Sequence, residues 1–432
     1  MRIAYFSPLN PQRSGISDYS EELLPALARG AEIDLFVDGF VPTNPVVSAA
    51  FQIHDYRKNP ASLGALPYYD AILCQMGNSH RYHGGIFEVA SRHSAIVVFH
   101  DVAFQHFFLE RAHELRDPNV YLDELEASEG FQTRAEAEEA LSRGAAPPQY
   151  QNPLGFPMNF RLANRAEGII AHSEWSRSRL ARIAPGVPAA KINLHVKIPE
   201  VDSLRSTAEK ESLSIASFGF ITDSKGLESA IRALAVLRKD HAFQYHLVGE
   251  LNSYFDVEEL MRTYGIQNRV SISGYLDLEH FKVRISETDI AINLRDQTVG
   301  ETSASLCRLM AAGVPTIVSN IGWFSELPDD CVIKIDPGPS ADLLLCAYLK
   351  ELIANADLRQ RIGANARAFM LAHHRVEQTA ADYLDFIRHV ITRRAERKFL
   401  DSVSSEIAHL SNVEPDELLL SGVAPAITEL MT

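Results

Sequence analysis

Short apolar runs separated by stretches of helical period set out the plan of this chain. The run at residues 3–7 ends in a loop rich in Ser, Pro, Asn and Gly, and a helical pattern follows over 18–28. That reads as strand, loop, helix. Further apolar runs at 33–37, 70–75 and 95–99 lack the polar alternation of a half-exposed strand. They read as strands buried on both faces, as in parallel sheets. Residues 106–157 then turn polar and rich in Glu and Ala, which suits inserted helices. A helix at 161–167, a strand at 168–171 and the loop His172-Ser173 close this half.

Periodicity fades over 191–210, the candidate linker, and the alternation then restarts. Strands are expected at 214–218, 245–249, 270–273, 289–294 and 316–319, with helices at 226–238, 257–264, 278–286 and 303–312 between them. From 341 onward the pattern is helical, over 342–355, 358–374 and 376–399, with a short amphipathic piece at 415–420. Strands alternating with helices in both halves predict an α/β protein of two doubly wound domains. The expected division is 1–195, 196–370 and a helical 371–432 whose first part crosses back to the first domain. The crevice between the domains is the natural ligand site.

Composition narrows the function without naming it. A length of 432 residues suits two domains, at roughly 100–200 residues each. A net charge of -15 excludes nucleic acid as the main partner, because phosphate backbones need a basic footprint. An anionic nucleotide would have to be met by local donors. Four cysteines with no CxxC spacing argue against a disulfide framework and a zinc site. The first residues lack the pattern of a signal peptide, and no run reaches a membrane-spanning length. A cytoplasmic protein is expected, with peripheral contact at the inner face of the cell membrane as an option through the basic stretch 388–398. A solvated helix face is the plainer reading of that stretch.

The most specific segment is 300–315, GETSASLCRLMAAGVP, between two apolar runs. Gly300, Glu301, Thr302 and Ser303 open a helix whose free amides and dipole favour an anion such as a diphosphate. A capping box with Glu301 as a first-turn acid needs no ligand and fits equally well. Lys225, in SFGFITDSKGLESAI, sits in a loop after a strand and before a helix. It can therefore reach a phosphate at the same sheet edge, although a lysine there is by itself a solvated charge.

Taken in order, the GxSxY-like first loop, HSEWSR, FGFxxxxKGL, LVGE, a Gly-Tyr strand end and xGExS…MAAGVPTIVS resemble the retaining glycosyltransferase family 4, of GT-B fold, as a divergent GETS-motif subgroup. The resemblance runs through about residues 1–370 and is more specific in the second half. It implies transfer of a sugar from a UDP- or GDP-sugar to a hydroxyl of a glycan, lipid-linked or small-molecule acceptor. Retention, no metal and no cofactor are implied with it. Gly15 resembles the glycine that lets the backbone approach the diphosphate, Lys225 the diphosphate lysine, and Glu301 the glutamate that holds donor hydroxyls. Thr302 and Ser303 would offer amides. Gly219, Phe220, Gly249 and Tyr275, at strand ends, complete the expected donor side.

Two departures stand out. Phe220 occupies the place of a family arginine, and Arg308 or Leu309 the place of a ribose-binding glutamate. Arg295 and Arg308 are the candidate replacement cations, with an exposed helix arginine as the other reading of Arg308. Glu326 is a further candidate for hydroxyl or base contacts. In the first domain His100 matches a family histidine near the transferred sugar, with Asp101, His106, Asn78, His80 and Ser173 on the sugar or acceptor side. The spacing of His100, Asp101 and His106 fits no tight metal motif, and Ser173 also reads as a helix cap. Two rivals remain. One is a non-catalytic GT-B-like sugar-binding or scaffold protein. The other is an NAD-dependent oxidoreductase, for which Asp38 is placed well but the first loop lacks GxGxxG.

Overall fold

Two all-parallel sheets carry the chain. The first contains β1 (Arg2–Phe6), β2 (Glu32–Val37), β3 (Gln52–Asp55), β4 (Ala71–Met76), β5 (Ile96–Phe99), β6 (Gly168–Ala171) and β7 (Ala189–Lys191), in the order β3-β2-β1-β4-β5-β6-β7. The second contains β8 (Leu213–Phe218), β9 (Phe243–Val248), β10 (Val270–Ile272), β11 (Ile290–Asn293), β12 (Thr316–Ser319) and β13 (Ile333–Ile335), in the order β10-β9-β8-β11-β12-β13. The structure is a computed structural model and describes residues 1–199, 212–251 and 256–411.

The strand order reverses between β1 and β4 and again between β8 and β11, so each sheet has a crevice at the carboxyl ends of those strands. The inner strands β5, β6, β11 and β12 are buried at every residue, and their apolar runs are interrupted only at the strand ends, by Asn293, Thr316 and Ser319. The inserted stretch forms the helices Gln105–Leu115, Asn119–Glu129 and Phe131–Ser142, whose Tyr121 and Leu125 pack with Phe6, Phe36 and Phe99 on one face of the first sheet. The expected helix at 303–312 is Ala304–Ala311, with Ser303 as its cap. The expected piece at 415–420 and most of the linker lie outside the described residues.

A single apolar cluster joins the two halves. It runs from Tyr5, Leu23 and Tyr383 through Leu194 and Val196 to Leu306, Met310 and Trp323. The chain crosses between the halves twice in the same place. His374 Nδ1 donates to the Leu194 carbonyl at 2.6 Å, and the Val196 amide donates to the His374 carbonyl at 3.1 Å. Beyond that point the helix Val376–Ser411 lies along the helix Gly15–Leu27 of the first half, where the Tyr19 and Tyr383 hydroxyls meet at 2.7 Å. Arg394 adds an ion pair to Glu167. No helix among the described residues is long and apolar enough to cross a membrane.

Candidate functional site

The carboxyl ends of both sheets face one another across a cavity of about 390 Å3. On the second-sheet side, β8 runs into Gly219, whose φ is +102°, and β9 runs into Gly249, whose φ is +152°. A Cβ on Gly249 would lie 2.0 Å from the Gly219 carbonyl oxygen, so the two loops can touch only with glycine there. A Cβ on Gly219 would lie 3.9 Å from both Lys225 Nζ and Ser305 Oγ, which puts the lysine amine beside the start of the helix Ala304–Ala311.

Lys225 is partly buried, and among the described residues its amine has neither a hydrogen-bond partner nor an ion pair. Burial lowers it to about 7 and the nearby charge of Arg295 adds to this, against the pull of Glu301 and Asp101. An unpaired lysine beside a helix N-terminus is an anion site in two senses, charge and oriented amides.

Glu301 does not form the capping box. Ser303 Oγ caps the helix alone, accepting from the Leu306 amide at 3.3 Å. The Glu301 carboxylate turns back into its own loop. Oε2 accepts from the Thr298 hydroxyl at 2.7 Å and from the Val299 amide at 3.0 Å, while Oε1 accepts from Arg295 Nε at 3.1 Å. Arg295 is largely spent as well, with Nη1 donating to Asn293 Oδ1 at 2.9 Å and to the Leu294 carbonyl at 2.7 Å. Its structural part is to hold Glu301. Arg308 sits 3.9 Å from Glu22 on the first-domain helix Gly15–Leu27, and burial raises the Glu22 carboxyl against the pull of Arg308.

On the first-sheet side, Ser14 caps the helix that begins at Gly15, and a Cβ on Gly15 would meet nothing within 4 Å. The open space is the cavity itself. β5 ends in His100 and Asp101. His100 Nε2 lies 2.7 Å from Gln75 Oε1, which fixes it as the donor nitrogen. Burial holds the ring well below the usual histidine range. Burial likewise pushes Asp101 up to about 7, helped by Glu301 and opposed by the Asn78 amide that donates to it at 2.7 Å. Behind His100, the rings of His172 and His195 pack around Tyr19, with centroids 5.3 and 4.4 Å from it.

The cavity thus brings together Gly15, His100 and Asp101 with Gly219, Phe220, Lys225 and Gly249, and with Tyr275, Arg295, Glu301, Thr302, Ser303 and Arg308. Six residues named from the sequence do not line it. Asn78 holds Asp101 from behind and accepts from the Phe107 amide at 2.9 Å. His80 turns to Glu114 at 2.8 Å, and His106 points to solvent from the helix Gln105–Leu115. Ser173 caps the helix Glu174–Ile183, and Gly300 packs against Val102 and Trp175 of the first domain. Glu326 accepts from the Glu174 and Trp175 amides at 3.1 and 2.5 Å, so its carboxylate is occupied at the contact between domains.

Sequence reasoning passed over Arg13, Glu22, Thr298 and Ser176. Arg13 stacks over the Tyr275 ring at 4.4 Å, bridging the mouth of the cleft. Thr298, three residues before Glu301, was open to discovery as a local partner. The other three act across domains and leave no local signal.

Residues 202–369 match the family model described as "Glycosyl transferases group 1". An alpha-D-kanosaminyltransferase of Streptomyces kanamyceticus is 24% identical over 149 residues, 34% of this chain and 38% of that protein. The match therefore spans well under half of that relative. Among solved structures, sucrose-phosphate synthase from Thermosynechococcus elongatus superposes with a TM-score of 0.64 at 15% identity, over 91% of this chain and all 100% of that one. Anabaena HepE in complex with UDP gives 0.60 at 14% identity, over 90% and 100%. Both likenesses speak to the fold. With two facing Rossmann-like sheets and the site between them, the chain has a GT-B fold, and the stretch that matches the glycosyl transferases group 1 model, residues 202–369, covers the second sheet.

Proposed function

We propose that the chain is a retaining, metal-independent glycosyltransferase that moves a sugar from a UDP- or GDP-sugar to a hydroxyl of a glycan, lipid-linked or small-molecule acceptor. The observation that carries this reading is the unpaired Lys225 amine beside the N-terminus of Ala304–Ala311, with the Glu301 carboxylate locked in place next to it. Breaking a sugar–diphosphate bond builds negative charge on the leaving group, and preorganised positive charge is the main catalytic resource. Lys225 and the helix amides supply that charge, as a divalent ion does elsewhere. Glu301 accepts hydrogen bonds from sugar hydroxyls.

In this reading the bond from the anomeric carbon to the phosphate oxygen breaks as the bond to the acceptor oxygen forms on the same face. The acceptor proton passes to the departing phosphate oxygen. No separate protein base is then required, and His100, held neutral by burial, contacts the sugar as a hydrogen-bonding group. The relatives fit this reading, since HepE is solved with UDP and with UDP-glucose. The protein acts in the cytoplasm, with a peripheral membrane contact where its acceptor is lipid-linked.

A panel of UDP- and GDP-sugars, assayed for nucleotide release and for sugar transfer with and without a chelator, tests the proposal. Transfer that survives chelation and disappears in Lys225→Ala supports it. A wild-type chain that binds no nucleotide and turns over no donor overturns it.

A further inference from the structure

The loop that presents Glu301 is fastened to the opposite domain. The Val299 carbonyl accepts from the Val102 and Ala103 amides at 2.7 and 3.0 Å, and the Gly300 carbonyl accepts from the Ser176 hydroxyl at 2.8 Å. Val102 follows Asp101 directly, and Glu301 follows Gly300 directly. The two walls of the cavity are therefore joined within one residue of the acid on each side. Val299 serves both, because its amide also donates to Glu301 at 3.0 Å.

Ser176 is placed for this contact by its own helix. Its amide donates to Ser173 Oγ at 3.0 Å, the Ser173 hydroxyl donates to Ser176 Oγ at 2.8 Å, and the Ser176 hydroxyl is thereby left to donate to Gly300. Both serines are buried. The contact also explains the glycine. A Cβ on Gly300 would lie 2.5 Å from Val102 Cγ2, and φ is +88°, so no other residue brings the loop this close. Glu326 clamps the first turn of the same helix from the second domain.

We propose that Ser176 is a positioning residue for sugar transfer, acting through Gly300 to set how Glu301 faces His100 and Asp101. The inference rests on the transferase reading given above. Ser173 belongs to the same device, relaying the order of the helix N-terminus to the donor loop. Nucleotide binding draws mainly on Lys225 and the loops of the second domain, so it does not depend on this contact, whereas the alignment of donor sugar with acceptor does.

Ser176→Ala and Ser176→Thr, compared with wild type, test the inference by two readouts. Removing the hydroxyl is expected to lower kcat by about 10–100-fold, the effect of a small misplacement of reacting groups, with nucleotide affinity unchanged and the threonine variant restored. Amide exchange at Val102 and Ala103 is expected to quicken in the alanine variant without any nucleotide. Equal kcat and equal exchange in Ser176→Ala and wild type would overturn the proposal, as would a parallel fall in nucleotide affinity, which marks general damage. If wild type transfers no sugar from any donor, the transferase reading fails, and amide exchange still decides whether Ser176 holds the loop.

Discussion

Arg295 and Glu301, six residues apart, are locked together by the Nε–Oε1 contact of 3.1 Å, with side-chain exposures of 6% and 20%. The guanidinium has three acceptors in a fixed fork, Glu301 Oε1, Asn293 Oδ1 and the Leu294 carbonyl. A lysine, with a single compact ammonium, cannot span them. Arg295→Met leaves a largely buried carboxylate with one donor fewer. The expected cost is about 3 kcal/mol, as for breaking a buried pair from one side. Urea unfolding measures it, and Arg295→Lys should recover little. An unfolding midpoint equal to wild type in the methionine variant would show that Thr298 and Val299 hold Glu301 unaided.

Lys225 makes nucleotide binding depend on pH with a definite sign. Its amine titrates at about 7 in the empty site, because burial disfavours the charged form. A bound diphosphate favours that form and raises the value. Binding therefore takes up a proton above pH 7, and affinity for UDP or GDP falls with rising pH by at most about tenfold per unit. Calorimetry in buffers of different ionisation enthalpy reads the uptake directly. Lys225→Ala should flatten the dependence. Proton release on binding, or affinity constant from pH 7 to 9, would remove Lys225 from the phosphate.

Asp101 is shifted the other way, and its effect is on stability. Its carboxyl is raised from 3.8 to about 7, chiefly by burial. Below pH 3.8 both folded and unfolded chains are protonated and the group costs nothing. Between these values the unfolded chain ionises first, so stability is lost as pH rises and the loss is complete above pH 7. Asp101→Asn keeps an acceptor for the Asn78 amide and removes the penalty. It should stabilise the protein at pH 8 by on the order of 1–2 kcal/mol, with discount for partial exposure, and by nothing near pH 3.5. Thermal unfolding at the two pH values checks the difference.

The fold was legible where strands are buried on both faces. β5, β11 and β12 appear as apolar runs because their middles are packed between two layers of helices, with polar residues only at the strand ends. β3 (QIHD), β7 (AAK) and β13 (IKI) escaped, since edge strands of three or four residues need no such run. At the site, Lys225 and the segment from Gly300 were legible because loop, cap and helix lie together in the chain. What Glu326 and Ser176 do was not. Each makes its contact across the cleft with a residue more than a hundred positions away, and local spacing carries no trace of such a partner.

The buried histidines predict acid sensitivity. His83, His172 and His374 are each lowered to about 4 and His195 to about 3, all mainly by burial, and burial also holds His100 well below the usual histidine range. Among the described residues, His83 and His172 have no hydrogen-bond partner on Nε2, so a second proton on either ring would find no acceptor. The unfolded chain takes up protons below pH 6.5 while these rings stay neutral. Stability is full above that pH and falls as pH drops toward 4. With five such groups, the slope near pH 5 approaches about 6 kcal/mol per pH unit. A typical total of about 5–15 kcal/mol would then be exhausted within about two pH units. Denaturant unfolding across pH 4–7 gives the slope, and His195→Leu should reduce the proton uptake by about one. A slope near a single proton would mean that water already reaches these rings, and that the floor of the cleft around Tyr19 is wet.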